Sequence, residues 1–311
     1  MMTISNGHSF TVACASGALD FGTGYWWEKH GLIPLGIIDP SLFTIITKTI
    51  TLNPRKGNRK WWPPCVLPFF DGGAINAVGL TNPGLAWLVT QYQLGNFPIN
   101  GLPTIVSIMA EHKTDAVAMA RELNKMPLIK GIEVNVSCPN ISHQLGQDKA
   151  AHIIEIFRAV KNSTSLPVGI KLGWHDPFPQ VCRILDGIAD WFDLINTIKW
   201  SFLQPRKRSP LSWFGYEGGV SGPKIKNFAR AALGYTMRLT TPTISGGGIM
   251  TAEEGIWRLE KGHAKAITIG SAFLTRPWTV NRIAKGVLSW ESKSGSSKSL
   301  ESPTISNSCC N

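Results

Sequence analysis

The chain has 311 residues, is 43% hydrophobic and carries a formal net charge of +11. That length is high for one ordinary domain but normal for a single α/β barrel, and the apolar fraction supplies a large core. No stretch approaches 18 uninterrupted apolar residues, which excludes a hydrophobic membrane-spanning helix.

The first residues, from Met1 to His8, lack a basic segment followed by an apolar run. No signal peptide is therefore expected, and the expected location is the cytoplasm. The six cysteines (14, 65, 138, 182, 309 and 310) form no CxxC pair and no Cys/His metal spacing. That pattern points to a reducing compartment and to no metal site.

Strand-like apolar runs fall at residues 11–15, 42–50, 104–109, 131–137, 168–172, 192–198, 242–245 and 266–269. Most are continuous rather than alternating, as buried parallel strands are. Amphipathic helical stretches lie between them at 115–125, 149–162, 180–189, 223–238, 251–261 and 277–288. The fourth opens on Pro223, as helix starts favour. The fifth opens with the capping pair Thr251 and Glu254 and closes on Gly262. Eight strands alternating with helices predict an α/β fold of the (β/α)8 TIM-barrel type.

Two segments break the repeat. Residues 53–82, rich in Pro, Gly, Trp and basic side chains, predict an elaborated loop with a small hairpin; residues 199–221 form a second insertion. Such excursions at the C-terminal face of a barrel build or cover its active site. The chain thus divides into a barrel domain over 1–289 and a Ser/Lys-rich tail over 290–311, expected to be disordered. Two basic clusters, Arg55, Lys56, Arg59 and Lys60 and then Arg206, Lys207 and Arg208, suit solvated loops, polyanion binding or steering of anionic ligands. No nucleic-acid-binding motif accompanies them, and nucleic acid is not an expected partner.

Chemistry-bearing residues gather where the strands end. The fourth strand runs into Asn135, Ser137, Cys138 and Asn140, with Pro139 stiffening the turn. Carboxamides there offer donors and acceptors to a planar, amide-rich ligand. Lys171 sits inside the apolar run Val168-Gly-Ile-Lys-Leu, and a lysine buried there requires an anion or an electron-rich group nearby. Lys48, in Ile46-Thr-Lys-Thr-Ile, falls under the same argument. The sixth strand ends at Ile195, Asn196 and Thr197. The seventh runs into Gly246-Gly-Gly and the eighth into Gly270-Ser271, where backbone N–H groups of a barrel hold a phosphate. Asn76 and Asn82 bracket a turn in the long second loop that is open to a structural or a ligand-binding reading.

These motifs together resemble the dihydroorotate dehydrogenase family of FMN-containing (β/α)8 barrels. The resemblance spans roughly residues 10–285 and rests on Ala13-Cys-Ala-Ser-Gly, Thr47-Lys-Thr, Ile75-Asn-Ala-Val-Gly-Leu-Thr-Asn-Pro-Gly, Asn135-Val-Ser-Cys-Pro-Asn, Gly169-Ile-Lys-Leu, Ile195-Asn-Thr, Gly218-Gly-Val-Ser-Gly-Pro, the Gly246–Gly248 turn and Gly270-Ser-Ala. It implies oxidation of dihydroorotate to orotate in de novo pyrimidine biosynthesis, with Cys138 as the base that removes the C5 proton and FMN as acceptor of the C6 hydride. It places Lys48, Asn76, Gly79, Leu80, Asn135, Asn140, Asn196 and Thr197 around the substrate. It places Ser16, Lys48, Thr49, Ser107, Asn135, Lys171, Ile195, Gly222, Gly247, Gly248, Gly270 and Ser271 around the flavin, and implies no metal ligand.

A thiol base and the Gly-Gly-Val-Ser-Gly-Pro run resemble the class 1 enzymes. That resemblance implies an iron–sulfur/FAD electron-transfer subunit, or else direct reduction of fumarate, in a homodimer or heterotetramer without a membrane partner. The alternatives are another FMN-dependent pyrimidine oxidoreductase (dihydropyrimidine dehydrogenase-like or dihydrouridine synthase-like) and a non-catalytic polyanion-binding barrel. The segments Tyr25-Trp-Trp-Glu-Lys-His, Asn58-Arg-Lys-Trp-Trp-Pro-Pro-Cys and 199–217 depart from the family pattern.

Overall fold

The computed structural model describes residues 1–58, 64–136 and 149–298. Eight parallel strands close into a barrel: β1 (Val12–Cys14), β2 (Thr44–Ile46), β3 (Thr104–Ile108), β4 (Gly131–Asn135), β5 (Val168–Leu172), β6 (Trp191–Leu194), β7 (Thr243–Ser245) and β8 (Ala266–Ile269). Each strand pairs with its neighbours in chain order, and β8 closes on β1. The TIM-barrel expectation therefore holds, strand for strand.

The outer layer comprises α1 (Leu85–Gln93), α2 (Lys113–Leu123), α3 (Lys149–Lys161), α4 (Phe178–Ile184), α5 (Lys226–Thr236), α6 (Ala252–Glu260), the short α7 (Ser271–Thr275) and α8 (Val280–Lys298). Between β1 and β2 the chain makes only a wide turn, Glu28–Leu32, and a 3-10 turn, Pro40–Leu42. Helix α1, absent from the sequence expectation, follows the Asn82-Pro-Gly turn directly. Helix α8 runs to Lys298, past the expected boundary at residue 290. Glu291 holds that extension, because its carboxylate meets both the Met1 ammonium and the Thr11 hydroxyl.

Side chains of alternate strand residues fill the barrel in layers. The lower layer is apolar: Ala13, Ile46, Ile105, Trp191, Ile244 and Ala266 pack with Met2, Ile4 and Phe10 of an N-terminal hairpin (Met2–Thr3 with Ser9–Phe10) that plugs the base. Trp191 lies across β5, where a Cβ on Gly169 would fall 1.9 Å from its indole ring. The next layer is polar, with Ser107, Glu133, Lys171, Asp193 and Thr268 all buried.

Strand β2 is shorter than the run at 42–50. Thr47 N–H donates to Ile105 O, but Ile50 N–H donates to Ser107 O, so β2 spends three steps where β3 spends two. This is a β-bulge. The two insertions meet in one antiparallel sheet: Val66–Pro68 and Ala74–Asn76 form the expected hairpin, Gly219–Ser221 pairs with Ala74–Asn76, and Ile198–Lys199 completes the edge. Ile198–Lys199 follows β6, and Thr275 donates to Gly72 O, so this sheet stands on the C-terminal side of the barrel.

Candidate active site at the C-terminal mouth

The bulge in β2 turns Thr49 into the barrel. Its hydroxyl lies 3.0 Å from Ser16 Oγ and 3.0 Å from Ser107 Oγ, and accepts from Asn135 Nδ2 at 2.9 Å. Four expected site residues from four strand ends thus meet at one hydroxyl. Ser16 also donates to Thr47 O at 2.9 Å, fixing the loop after β1. Lys48, also buried, places its Nζ 5.8 Å from the centre of the Tyr25 ring, and Tyr25 donates to Gly17 O. The unusual Tyr25–His30 segment therefore borders the mouth.

Lys171 answers the question its sequence position raises. Its Nζ lies 2.8 Å from Asp193 Oδ2 on the neighbouring strand, with both side chains buried. Burial disfavours the ammonium, but Asp193 and Glu133 outweigh it and hold the Lys171 pKa up at about 12. Glu133, fully buried, accepts from Ser107 Oγ at 3.1 Å. Burial pushes its carboxyl up to about 8; Lys171 opposes that rise and Asp193 adds to it. Thr268 reaches Asp193 Oδ1 at 3.5 Å from β8, across β7. It can do so because β7 continues into Gly246, where a Cβ would fall 2.4 Å from Thr268 Oγ1.

Gly247 and Gly248 follow, both at φ +84, a left-handed conformation that suits glycine. Arg258 of α6 anchors this turn from below. It is fully buried, with Nη2 donating to Gly247 O (3.1 Å) and Lys226 O (3.2 Å), Nη1 to Ser245 Oγ (3.0 Å) and Nε to Glu254 Oε1 (2.7 Å). Glu254 also binds Arg230; burial alone would raise its carboxyl, but the two guanidiniums hold it below the usual range. Glu254 therefore serves Arg258 and Arg230, while Thr251 accepts from Glu254 N–H as the helix cap. Gly270 and Ser271 lie beside this turn, because β8 pairs with β7 on one side and β1 on the other.

The remaining expected residues divide by surroundings. Asn196 and Thr197 follow β6 at the mouth, half-buried, with Asn196 Oδ1 accepting from Thr197 N–H at 2.8 Å. Ile195 is buried beside them. Asn76 stands on the small sheet beside Gly219. Gly79 and Leu80 shape the next turn with positive φ of 68 and 57. Gly222 crosses the Gly72–Gly73 backbone closely, tying the second insertion to the first. Asn82 proves structural: its amide binds Thr51 N–H, Gly84 N–H, Leu80 O and the Thr51 hydroxyl. Cys138 and Asn140 lie outside the described residues. Cys14 and Cys182 are buried, which pushes both thiols up to about 12 and makes them unsuitable as bases.

Sequence reasoning passed over Glu133, Asp193, Thr268 and Arg258. An acid inside an apolar strand (Ile132-Glu-Val and Phe192-Asp-Leu) carries the same signal as Lys171, since a buried charge implies a partner. Nothing in the sequence marks Arg258, whose role arises because α6 packs against β8 and so brings the guanidinium to Ser245 and the Gly247 turn.

The sequence model described as dihydroorotate dehydrogenase matches residues 23–290. The catalytic subunit of dihydroorotate dehydrogenase B (NAD(+)) from Desulforudis audaxviator is 34% identical over 288 residues, covering 88% of this chain and 86% of that protein. Its counterpart from Enterococcus faecalis is 30% identical over 281 residues, covering 88% and 85%. Dihydroorotate dehydrogenase A (fumarate) from Lactobacillus delbrueckii subsp. bulgaricus is 30% identical over 290 residues, covering 89% and 88%. With this match, these relatives and a closed barrel of eight parallel strands, the chain belongs to the dihydroorotate dehydrogenase family.

Proposed function

We propose that this chain oxidises dihydroorotate to orotate in pyrimidine biosynthesis, using FMN at the barrel mouth. The observation that carries the reading is the convergence of Ser16, Thr49, Ser107, Asn135 and Lys171 on one rim, beside the Gly247–Gly248 turn. This donor set fits a flavin. Thr49 and Asn135 offer neutral donors and acceptors, Lys171 supplies a fixed cation, and the glycine turns with Gly222, Gly270 and Ser271 offer backbone N–H groups to a phosphate. FMN, when bound, supplies the hydride acceptor.

The protein's own residues do the rest. Lys48, Asn76, Asn135, Asn140, Asn196 and Thr197, with the backbone at Gly79 and Leu80, hold the substrate's carboxylate and ring amides. Cys138, three residues past the end of β4, takes the C5 proton as the C6 hydride leaves from the other face. The sheet formed by the two insertions screens the mouth from water. A net charge of +11 favours the approach of two anions.

The relatives named as catalytic subunits support a separate partner subunit; in our reading it is an iron–sulfur/FAD electron-transfer subunit, in a homodimer or heterotetramer. Among the described residues no helix is long and apolar enough to cross a membrane. Anaerobic titration tests the proposal. The purified chain is yellow and bleaches on addition of dihydroorotate; NAD with a partner subunit, fumarate and a quinone are then compared as reoxidants. A colourless chain that takes up no FMN, or a yellow one bleached by NADPH and indifferent to dihydroorotate, overturns it.

A further inference from the structure

The polar layer under the mouth holds more negative than positive charge. Glu133, Asp193 and Lys171 are 0%, 0% and 5% exposed, and among the described residues no other charged side chain is hydrogen-bonded to any of them. Two carboxylates against one ammonium leave one uncompensated negative charge at the centre of the barrel, which is costly to bury.

The hydrogen bonds show where the imbalance falls. Asp193 is fully served: Oδ2 meets Lys171 Nζ at 2.8 Å and Oδ1 meets Thr268 Oγ1 at 3.5 Å. Glu133 is half served. Oε1 accepts from Ser107, while Oε2 is buried with no donor among the described residues. Beside the Glu133 carboxyl stands that of Asp193. Two carboxylate oxygens repel each other, but one protonated carboxyl donates to the other. The groups facing Glu133 are Ser107 from β3, Lys171 from β5 and Asp193 from β6.

We propose that Glu133 carries a proton in the native protein and donates it to the Asp193 carboxylate, so that the buried cluster beneath the flavin has zero net charge. Glu133 is thus a positioning residue, acting on the flavin through Lys171. With the proton in place, Lys171 and Asp193 form a balanced pair, and negative charge arriving at the mouth on reduction meets no net anion below it. With the proton lost, it does. The carboxyl is in hydrogen-bonded continuity with the mouth, from Glu133 through Ser107 (3.1 Å) and Thr49 (3.0 Å) to Ser16 (3.0 Å), so the two places share one electrostatic environment.

The part concerning flavin rests on the proposed function; the proton itself does not. Burial places the folded Glu133 at about 8, above its ordinary value of 4.5. Between those values the folded state binds a proton that the unfolded state has released, so this group lowers stability as pH rises through the window and stops doing so above it. Relative to Glu133→Gln, which mimics the protonated acid, the wild-type folding equilibrium constant falls about tenfold per pH unit within the window. Denaturant unfolding of both proteins across pH 5–9 reads that difference, and curves that run parallel overturn the proposal. Should the variant fail to fold, infrared spectra of the wild type with ¹³C-labelled glutamate decide: a carboxylic-acid carbonyl band at pH 7 that bleeds away at alkaline pH supports the proton, and its absence sinks it.

In the flavin-loaded protein, the wild-type midpoint potential drops below that of Glu133→Gln as pH passes about 8. Coincident potentials with the infrared band present would remove Glu133 from flavin tuning. Failure to bind FMN at all would instead overturn the proposed function and leave the infrared result to judge the proton.

Discussion

Lys171 Nζ lies 2.8 Å from Asp193 Oδ2, and the two residues are register partners on β5 and β6 at the level where the barrel opens. A buried pair contributes little net stability over an apolar one, but halving it strands a charge at a cost of about 3–5 kcal/mol. Lys171→Met should therefore destabilise the flavin-free chain by about that amount. Adding Asp193→Asn should restore much of the loss, because the stranded carboxylate is gone. Urea unfolding of the two variants checks this. A double variant no more stable than the single would mean that the pair is not the source of the cost.

Cys138→Ser keeps a hydroxyl in place of the thiol but raises the basicity problem, since a serine is essentially never ionised near neutral pH. Stopped-flow reduction by dihydroorotate should slow by roughly 10²–10⁴-fold, the usual worth of a positioned base. Flavin content and melting temperature should hold. Undiminished reduction would take Cys138 out of the base role.

Gly246 is glycine because Asp193 and Thr268 close over the space its side chain would occupy. Gly246→Ala puts a methyl group 2.4 Å from Thr268 Oγ1, well inside contact distance. The expected loss is about 1–3 kcal/mol, as for other overpacked cores. Thr268→Ala in the same chain removes the clashing oxygen and should recover most of it. Thermal melts of the wild type and the two variants provide the measurement, and non-rescue would place the strain elsewhere.

The order of the eight strands was legible because each is a continuous apolar run between turn-rich segments, and burial on both faces of a parallel barrel demands that composition. The strand ends were legible where a strand halts at a Gly, Pro or polar cluster, as after Asn135 and Ser245. The bulge at Thr47–Thr49 was not. Ile46, Lys48 and Ile50 alternate as an unbroken strand would, and only the hydrogen bonds to Ile105 and Ser107 reveal the extra residue. Lys171 is legible as functional because a lysine inside an apolar strand needs a partner, and Glu133 and Asp193 carry the same signal in the same kind of strand. The helical turns from Glu291 to Lys298 were hidden by a Ser/Lys composition that says nothing of the Glu291 contacts to Met1 and Thr11.

Asn82 separates a structural asparagine from a ligand-binding one. Its amide makes five hydrogen bonds, with Thr51 N–H, the Thr51 hydroxyl (through both Oδ1 and Nδ2), Leu80 O and Gly84 N–H. Asn82→Ala leaves those buried groups without partners, at about 1–3 kcal/mol. Because the loop carries Gly79 and Leu80, the dihydroorotate KM should rise while flavin content stays full. Lost flavin with unchanged stability would instead make Asn82 a direct ligand.

Arg258 supports the Gly247–Gly248 turn, the proposed phosphate site, without reaching the mouth. Its guanidinium spends its donors on Gly247 O, Lys226 O, Ser245 Oγ and Glu254, in a forked geometry that a lysine cannot reproduce. Arg258→Lys keeps the charge opposite Glu254 but frees the Gly247 carbonyl, so the turn loses its anchor more than the helix loses its ion pair. FMN affinity should fall by roughly tenfold or more, the equivalent of about 1.4 kcal/mol or greater. In the proposed binding mode the turn meets only the phosphate end, so riboflavin affinity should change little. Titrations of the flavin-free protein with FMN and with riboflavin separate the two effects. Equal losses for both ligands would show that Arg258 holds the barrel rim as a whole and not the turn.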